Sequence, residues 1–245
     1  MLALVTGGTS GIGLEIAKNL DKKGYDLVLV SEKSEIDKSI FKNKVEVINL
    51  DLSKKDNCYK LHDMVKDVDI FINNAGFGLF GAFDKTDIDK EIKMIDVNIT
   101  AVHILTKLYL KDMKERNSGY ILNTASAAAF AFGPLMSTYY ASKSYVYKLT
   151  LSIYEELRRD KSNVVISCLC PGPVYTNFQK KADVTFTTNT VTSEYVGKYA
   201  VDNLFKKRII ITPTISVKLA RILINLIPLK VALKICYGFQ KRKDK

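Results

Sequence analysis

The first twenty residues constrain the chain more than any other stretch. Leu2 to Val5 is a short apolar run, Thr6-Gly7-Gly8-Thr9-Ser10-Gly11-Ile12-Gly13 follows, and Leu14 to Leu20 has the apolar spacing of an amphipathic helix. A strand that passes through a glycine-rich turn straight into a helix is the opening of a βαβ unit, so the next strand is expected to pair in parallel. The arrangement also has a chemical reading. Glycines let the backbone approach a pyrophosphate closely, and the helix N-terminus offers free N–H groups and the positive end of a dipole. A tight turn with no ligand is the plainer reading of the same residues.

The rest of the chain keeps the alternation. Gly24-Tyr25 closes the first helix, and apolar runs at Asp26 to Val30, Val45 to Leu50, Val68 to Ile72, Tyr120 to Asn123, Val164 to Cys170 and Ile209 to Thr212 read as further strands. Helical patterns lie between them: one after Ser53, a plausible N-cap, running through Lys66, then about 87–115, about 137–159 and 193–207. No internal repeat or linker-like segment interrupts the series. The pattern predicts an α/β fold, a doubly wound parallel sheet, with residues 1–212 as its main domain and 213–245 as a helical extension of it.

Ligands of open α/β sheets bind at the C-terminal ends of the strands. The candidates at that edge are Gly7, Thr9, Ser10, Gly11, Ile12 and Gly13 after the first strand, and Ser31, Glu32 and Lys33 after the second. Asp51 and Leu52 follow the third, and Asn74, Ala75 and Gly76 the fourth. Ser126 lies past the fifth, and Pro171, Gly172, Val174 and Thr176 past the sixth. The end of the second strand is where such a fold meets an adenosine ribose. An acid there would bind the 2′-OH and repel a 2′-phosphate, a base the reverse, and here both signs stand side by side. Asp51 suits an adenine amine or the cap of a turn.

A reactive group is legible further on. Tyr139 and Lys143 are four residues apart on a helix, so phenol and ammonium share a face. A nearby cation favours phenolate and lowers a tyrosine pKa, which would fit Tyr139 for proton transfer. Tyr140 is also within reach of Lys143, but the spacing favours Tyr139 and leaves Tyr140 as a core or rim residue. Ser126 could hydrogen-bond a reacting oxygen. Asn98 sits inside a helical pattern, where asparagine has low propensity. Phe77, Leu79, Phe80, Phe130, Phe132, Leu135 and Met136 suggest an apolar pocket.

Composition narrows the alternatives. The formal charge is +11, much of it in the last thirty residues, and no aromatic-basic nucleic-acid module accompanies it. Two histidines and four scattered cysteines argue against a zinc centre or a disulfide framework, and no metal site is expected. Cys168 and Cys170 alternate on a buried strand and read as core. The N-terminus runs directly into a strand and resembles neither a secretory signal nor a transit peptide, so a reducing cytoplasm is the expected compartment. Asn177 to Thr192 is polar and irregular, like a lid or a disordered loop. From Ile215 to Phe239 apolar residues run nearly all round, with basic residues among them and a break at Pro228. Three readings stand open: a helix pair packed on the domain, a dimer contact, or an interfacial membrane helix with snorkelling bases.

Taken together, Thr6-Gly7-x-x-x-Gly11-x-Gly13, Asp51, Asn73-Asn74-Ala75-Gly76, Asn98, Ser126, Tyr139-x-x-x-Lys143 and Pro171-Gly172 resemble, in order and spacing, the motifs of the short-chain dehydrogenase/reductase (SDR) family. Within that family the chain looks most like bacterial ketoacyl and hydroxysteroid reductases. The resemblance implies a Rossmann-type fold of about seven parallel strands and an NAD(P)-dependent oxidoreductase acting on a carbonyl or secondary alcohol. It implies Tyr139 as acid/base, with Lys143 lowering its pKa and holding the nicotinamide ribose. Ser126 would orient the substrate carbonyl, and Asn98 would hold a water in a proton relay. Gly7, Ser10, Ile12, Asn74, Ala75 and Thr176 would line the cofactor, and Asp51 would meet its adenine. Relatives using NADP often carry Arg where Glu32 stands, yet neutral Ser31 and basic Lys33 keep NADP ahead of NAD. The partners implied are a small apolar carbonyl or alcohol and further copies of the chain, as a homodimer or homotetramer through the two long helices. Nucleic acid is not expected. The alternative is a catalytically weak, cofactor-sensing or partner-binding protein on the same fold.

Overall fold

The computed structural model describes residues 1–32, 35–175 and 191–242. In chain order the first half comprises β1 (Leu2–Thr6), α1 (Gly11–Asp21), β2 (Asp26–Ser31), β3 (Val45–Asn49), α2 (Lys55–Met64), β4 (Ile70–Asn73), α3 (Ile88–Ile95) and α4 (Val102–Glu115). The second half comprises β5 (Tyr120–Thr124), α5 (Ser137–Arg159), β6 (Val165–Leu169), β7 (Val174–Tyr175), β8 (Val191–Thr192), α6 (Ser193–Phe205), β9 (Ile210–Ile211), α7 (Ile215–Leu223) and α8 (Leu229–Lys241).

Seven strands form one parallel sheet in the order β3-β2-β1-β4-β5-β6-β9. Both faces are covered, and the period of two along each strand assigns alternate residues to opposite cores. Ala3 and Val5 of β1 face a core shared with Ile16 and Leu20 of α1 and Val196 and Leu204 of α6. Leu4 faces the other core, with Leu61 of α2, Leu105 and Tyr109 of α4, and Leu157 of α5. Chain direction across the sheet reverses between β1 and β4, which opens a crevice at their C-terminal ends.

Several local expectations are corrected. Ser53 is not the cap of α2: its N–H and hydroxyl both go to Asp51 Oδ1, at 3.0 and 2.7 Å, so Asp51 caps the turn and the helix starts later, at Lys55. That helix stops at Met64 rather than Lys66. The single helix expected over about 87–115 is α3 and α4 joined by a π-helical turn, Asp96–Ala101. A wider turn leaves the apolar periodicity nearly unchanged, so the pattern did not reveal it. Val191 and Thr192, expected in an irregular loop, instead pair with Val174 and Tyr175 as a two-stranded parallel ribbon. The remainder of that stretch lies outside the described residues.

Candidate active site

The crevice holds a cavity of about 680 Å³. One wall is the turn between β1 and α1, where Gly7, Thr9, Ser10, Gly11 and Ile12 line the space. Gly7 and Gly11 have φ of +63° and +54°, which an L side chain rarely adopts. Gly13 does not line the cavity. It lies beneath the turn, where a Cβ would collide with the Gly7 carbonyl oxygen and come within 2.6 Å of Asn74 Nδ2. Ser10 stands at the N-cap of α1 without a side-chain capping bond, so the first N–H groups of the helix stay available. Thr6 ties this turn to the end of β4: its hydroxyl accepts from the N–H of Asn74 at 2.9 Å and of Ala75 at 3.0 Å. Asn74 Nδ2 in turn donates to the Thr6 carbonyl at 3.2 Å.

At one end of the cavity lie Ser31, Glu32, Asp51 and Leu52, as expected, together with a residue the sequence did not single out. Lys93, on α3, places Nζ 2.8 Å from Glu32 Oε1 and 3.7 Å from Asp51 Oδ2. Its hydrogen bond to Glu32 is the main reason its pKa lies above the usual lysine value, although burial opposes the shift. For Asp51, burial alone would raise the pKa, but the Ser53 hydrogen bonds and the nearby lysines together hold the carboxyl below its usual range. Lys33 lies outside the described residues.

The other end holds Ser126, Tyr139 and Lys143, with Asn74, Ala75 and Gly76 alongside, and Pro171, Gly172 and Val174 opposite. Thr176 lies outside the described residues. Ser126 and Tyr139 are joined through their hydroxyls. Lys143 Nζ donates to the Thr124 carbonyl at 3.0 Å and sits 5.9 Å from the centre of the Tyr139 ring. Burial dominates both titrations. It pushes Tyr139 up to about 12, with the Ser126 hydrogen bond pulling the other way, and it pulls Lys143 down to about 8. The expected lowering of the tyrosine pKa is therefore reversed in the protein alone, because desolvation of the phenolate outweighs the favourable contacts.

Asn98 is fully buried in the π-turn, behind Gly76. Its Oδ1 accepts from Phe77 N–H at 3.2 Å, and its Nδ2 donates to the Phe77 carbonyl at 2.9 Å and to Ser142 Oγ at 3.1 Å. A Cβ on Gly76 would lie 2.8 Å from Asn98 Oδ1 and 3.2 Å from Lys143 Nζ, so any larger residue would press on both side chains. Of the expected apolar residues, Phe77 and Met136 line the cavity, while Phe132 is exposed on the surface. Tyr140 lines it too, and its hydroxyl accepts from Gln240 Nε2 of α8.

The arrangement fits a dinucleotide with a reacting carbon at the tyrosine end. The glycine turn can cradle a pyrophosphate, and the space beyond it reaches past Ala75 to Ser126 and Tyr139. The family model described as short chain dehydrogenase matches residues 1–185. The chain belongs to the short-chain dehydrogenase family. This dehydrogenase is 33% identical over 193 residues to an uncharacterized oxidoreductase of Staphylococcus saprophyticus, covering 74% of this chain and 82% of that one. Its fold is that of a short-chain dehydrogenase from Sphingobium yanoikuyae in complex with NADPH, with a TM-score of 0.79, 24% identity and coverage of 87% and 88%. It is also that of a family member from Burkholderia phymatum in complex with NAD, with a TM-score of 0.81, 22% identity and 92% of each chain covered.

Proposed function

We propose that this dehydrogenase catalyses hydride transfer between a nicotinamide dinucleotide and a small, largely apolar carbonyl or secondary alcohol. The observation that carries the reading is the Ser126–Tyr139–Lys143 group, with Tyr139 and Lys143 buried, which opens into the same cavity as the glycine cradle. Bound dinucleotide would supply the hydride that adds to the carbonyl carbon. Tyr139, with a pKa near 12, keeps its proton at neutral pH and can give it to the carbonyl oxygen in the reducing direction. Ser126 Oγ holds that oxygen in place. Lys143, protonated below about pH 8, stabilises the phenolate left behind. Asn98 positions the Gly76-Phe77 backbone and the Ser142 side chain rather than touching substrate.

NADP(H) is proposed ahead of NAD(H). Ser31 offers no carboxylate to repel a 2′-phosphate, and Lys93 offsets the charge of Glu32. Complexes of the two fold neighbours with NADPH and with NAD support the dinucleotide class and leave room for either form. Self-association is proposed along α4 and α5, which lie side by side with His103 Nδ1 at 2.7 Å from the Tyr145 hydroxyl.

Replacing Tyr139 by Phe tests the chemistry. Turnover of a carbonyl panel should fall at least about 100-fold while dinucleotide binding persists. Undiminished turnover would remove Tyr139 as the acid. Dinucleotide binding by the unaltered protein, with no turnover of any carbonyl, would favour the sensing alternative.

A further inference from the structure

Helices α7 and α8 meet the domain through narrow stripes. On α7, Val217 is buried, close to Gly172, and Arg221 stacks 6.0 Å from the centre of the Phe130 ring. On α8, Ala232, Cys236 and Gln240 are buried at a spacing of four. The rest of this apolar sequence faces outward. Ile215 and Leu226 are 73% and 74% exposed, and Leu219 and Ile222 between them are also exposed, so one side of α7 and the turn after it is an open apolar row. On α8, Leu233 and Tyr237 flank the buried stripe on one side, and Ile235 and Phe239 on the other, all exposed.

The charge on this surface has one sign. Residues 213–242 contain six Lys or Arg and no Asp or Glu. Several exposed cations elsewhere are paired, as with Lys114 to Asp160 and Arg158 and Arg159 to Glu155. Among the described residues, no ion pair engages Lys230, Lys234 or Lys241, which share one side of α8. Monomeric proteins seldom expose so many large apolar side chains together, so the face implies a partner. A second copy brought onto it would set the same cations against one another, which disfavours self-pairing. Among the described residues no helix is long and apolar enough to cross a membrane.

We propose that α7 and α8 dock this protein onto an anionic lipid bilayer, lying in its interface without spanning it. The apolar rows enter the acyl boundary, and the lysine and arginine heads reach the lipid phosphates while their stems stay in the apolar layer. The docking surface adjoins the active-site cavity, because Gln240 donates to Tyr140 and Val217 packs on Gly172, both of them lining residues. An apolar carbonyl dissolved in the bilayer would thus be presented beside the pocket. The lipid contact itself does not depend on the chemistry at Tyr139.

The test is cosedimentation of the full chain with vesicles of phosphatidylcholine alone and of phosphatidylcholine mixed with phosphatidylglycerol. The protein should pellet with the mixed vesicles and not with the neutral ones, and the bound fraction should fall as salt rises. The triple variant Lys230→Ala, Lys234→Ala, Lys241→Ala should lose on the order of 100-fold in partitioning. A second triple, Ile215→Ser, Ile222→Ser, Leu226→Ser, should also release the protein from mixed vesicles. All five of these results support the docking surface, provided both variants keep their thermal transitions. The salt dependence of the unaltered chain stands even if a variant fails to fold. No binding to mixed vesicles, or equal binding to both kinds, would overturn the proposal. So would an oligomer that the serine variant dissociates while the unaltered protein ignores lipid, since the face would then belong to a second copy.

Discussion

Two lysines stand at opposite ends of one cavity, and their surroundings shift them in opposite directions. Lys143 is 4% exposed, has a backbone carbonyl as its hydrogen-bond acceptor, and titrates near 8. Lys93 has 40% of its side chain exposed, stands between Glu32 and Asp51, and titrates above its ordinary value. Desolvation decides the first and carboxylate contact the second. In the proposed reaction the difference separates two tasks. A dry end, where a charge is held under strain, suits proton transfer, whereas a wet end with mutually compensating charges suits discrimination between two forms of a ligand.

The largest effect should come from Lys143→Met. Turnover should drop about 100-fold or more, since the phenolate loses its cation. Stability should move the other way at neutral pH. The folded pKa, about 8, lies below the ordinary 10.5, so between those values the unfolded chain binds more protons than the folded one. Without dinucleotide, the methionine variant should therefore melt higher than the unaltered protein at pH 7, and the gap should close as pH rises from about 8 to 10.5. A gap that stays constant in thermal melts across that range would show that Lys143 is not strained by burial. Gly76→Ala should have an intermediate effect. Its Cβ would press on Asn98 Oδ1 and Lys143 Nζ, costing about 1–3 kcal/mol of stability and displacing the lysine from Thr124. Denaturant titration and turnover should report the two losses together.

The wet end should respond least. Glu32→Gln releases Lys93 from its ion pair and should raise the NADPH-to-NADH affinity ratio by about two- to fivefold at low salt, with less change at high salt. A ratio that falls would mean that Lys93 does not reach the 2′-phosphate. Surface pairs of this kind contribute little individually, so the experiment reads selectivity rather than stability.

The sequence revealed the dry end far better than the wet one. Ser126, Tyr139 and Lys143 lie within eighteen residues on a strand end and a helix face, and local periodicity is enough to bring them together. The glycine turn is local in the same way. Lys93 is one of 37 basic residues and is 61 positions from Glu32; only the return of α3 over the ends of β2 and β3 makes them partners. The wide turn at Asn98 escaped because a π segment keeps nearly helical periodicity. The reversed pKa of Tyr139 escaped because spacing records which charges are near and says nothing about how dry the site is.

The most direct measurement is thermal stability during separate titrations with NADPH and NADH. At a hundred times its dissociation constant the preferred dinucleotide should stabilise the fold by about 2.7 kcal/mol. Both should stabilise, NADPH at the lower concentration. Stabilisation by NADH alone would overturn the reading of Ser31 and Lys93, and stabilisation by neither would remove the glycine cradle as a dinucleotide site and the proposed reaction with it.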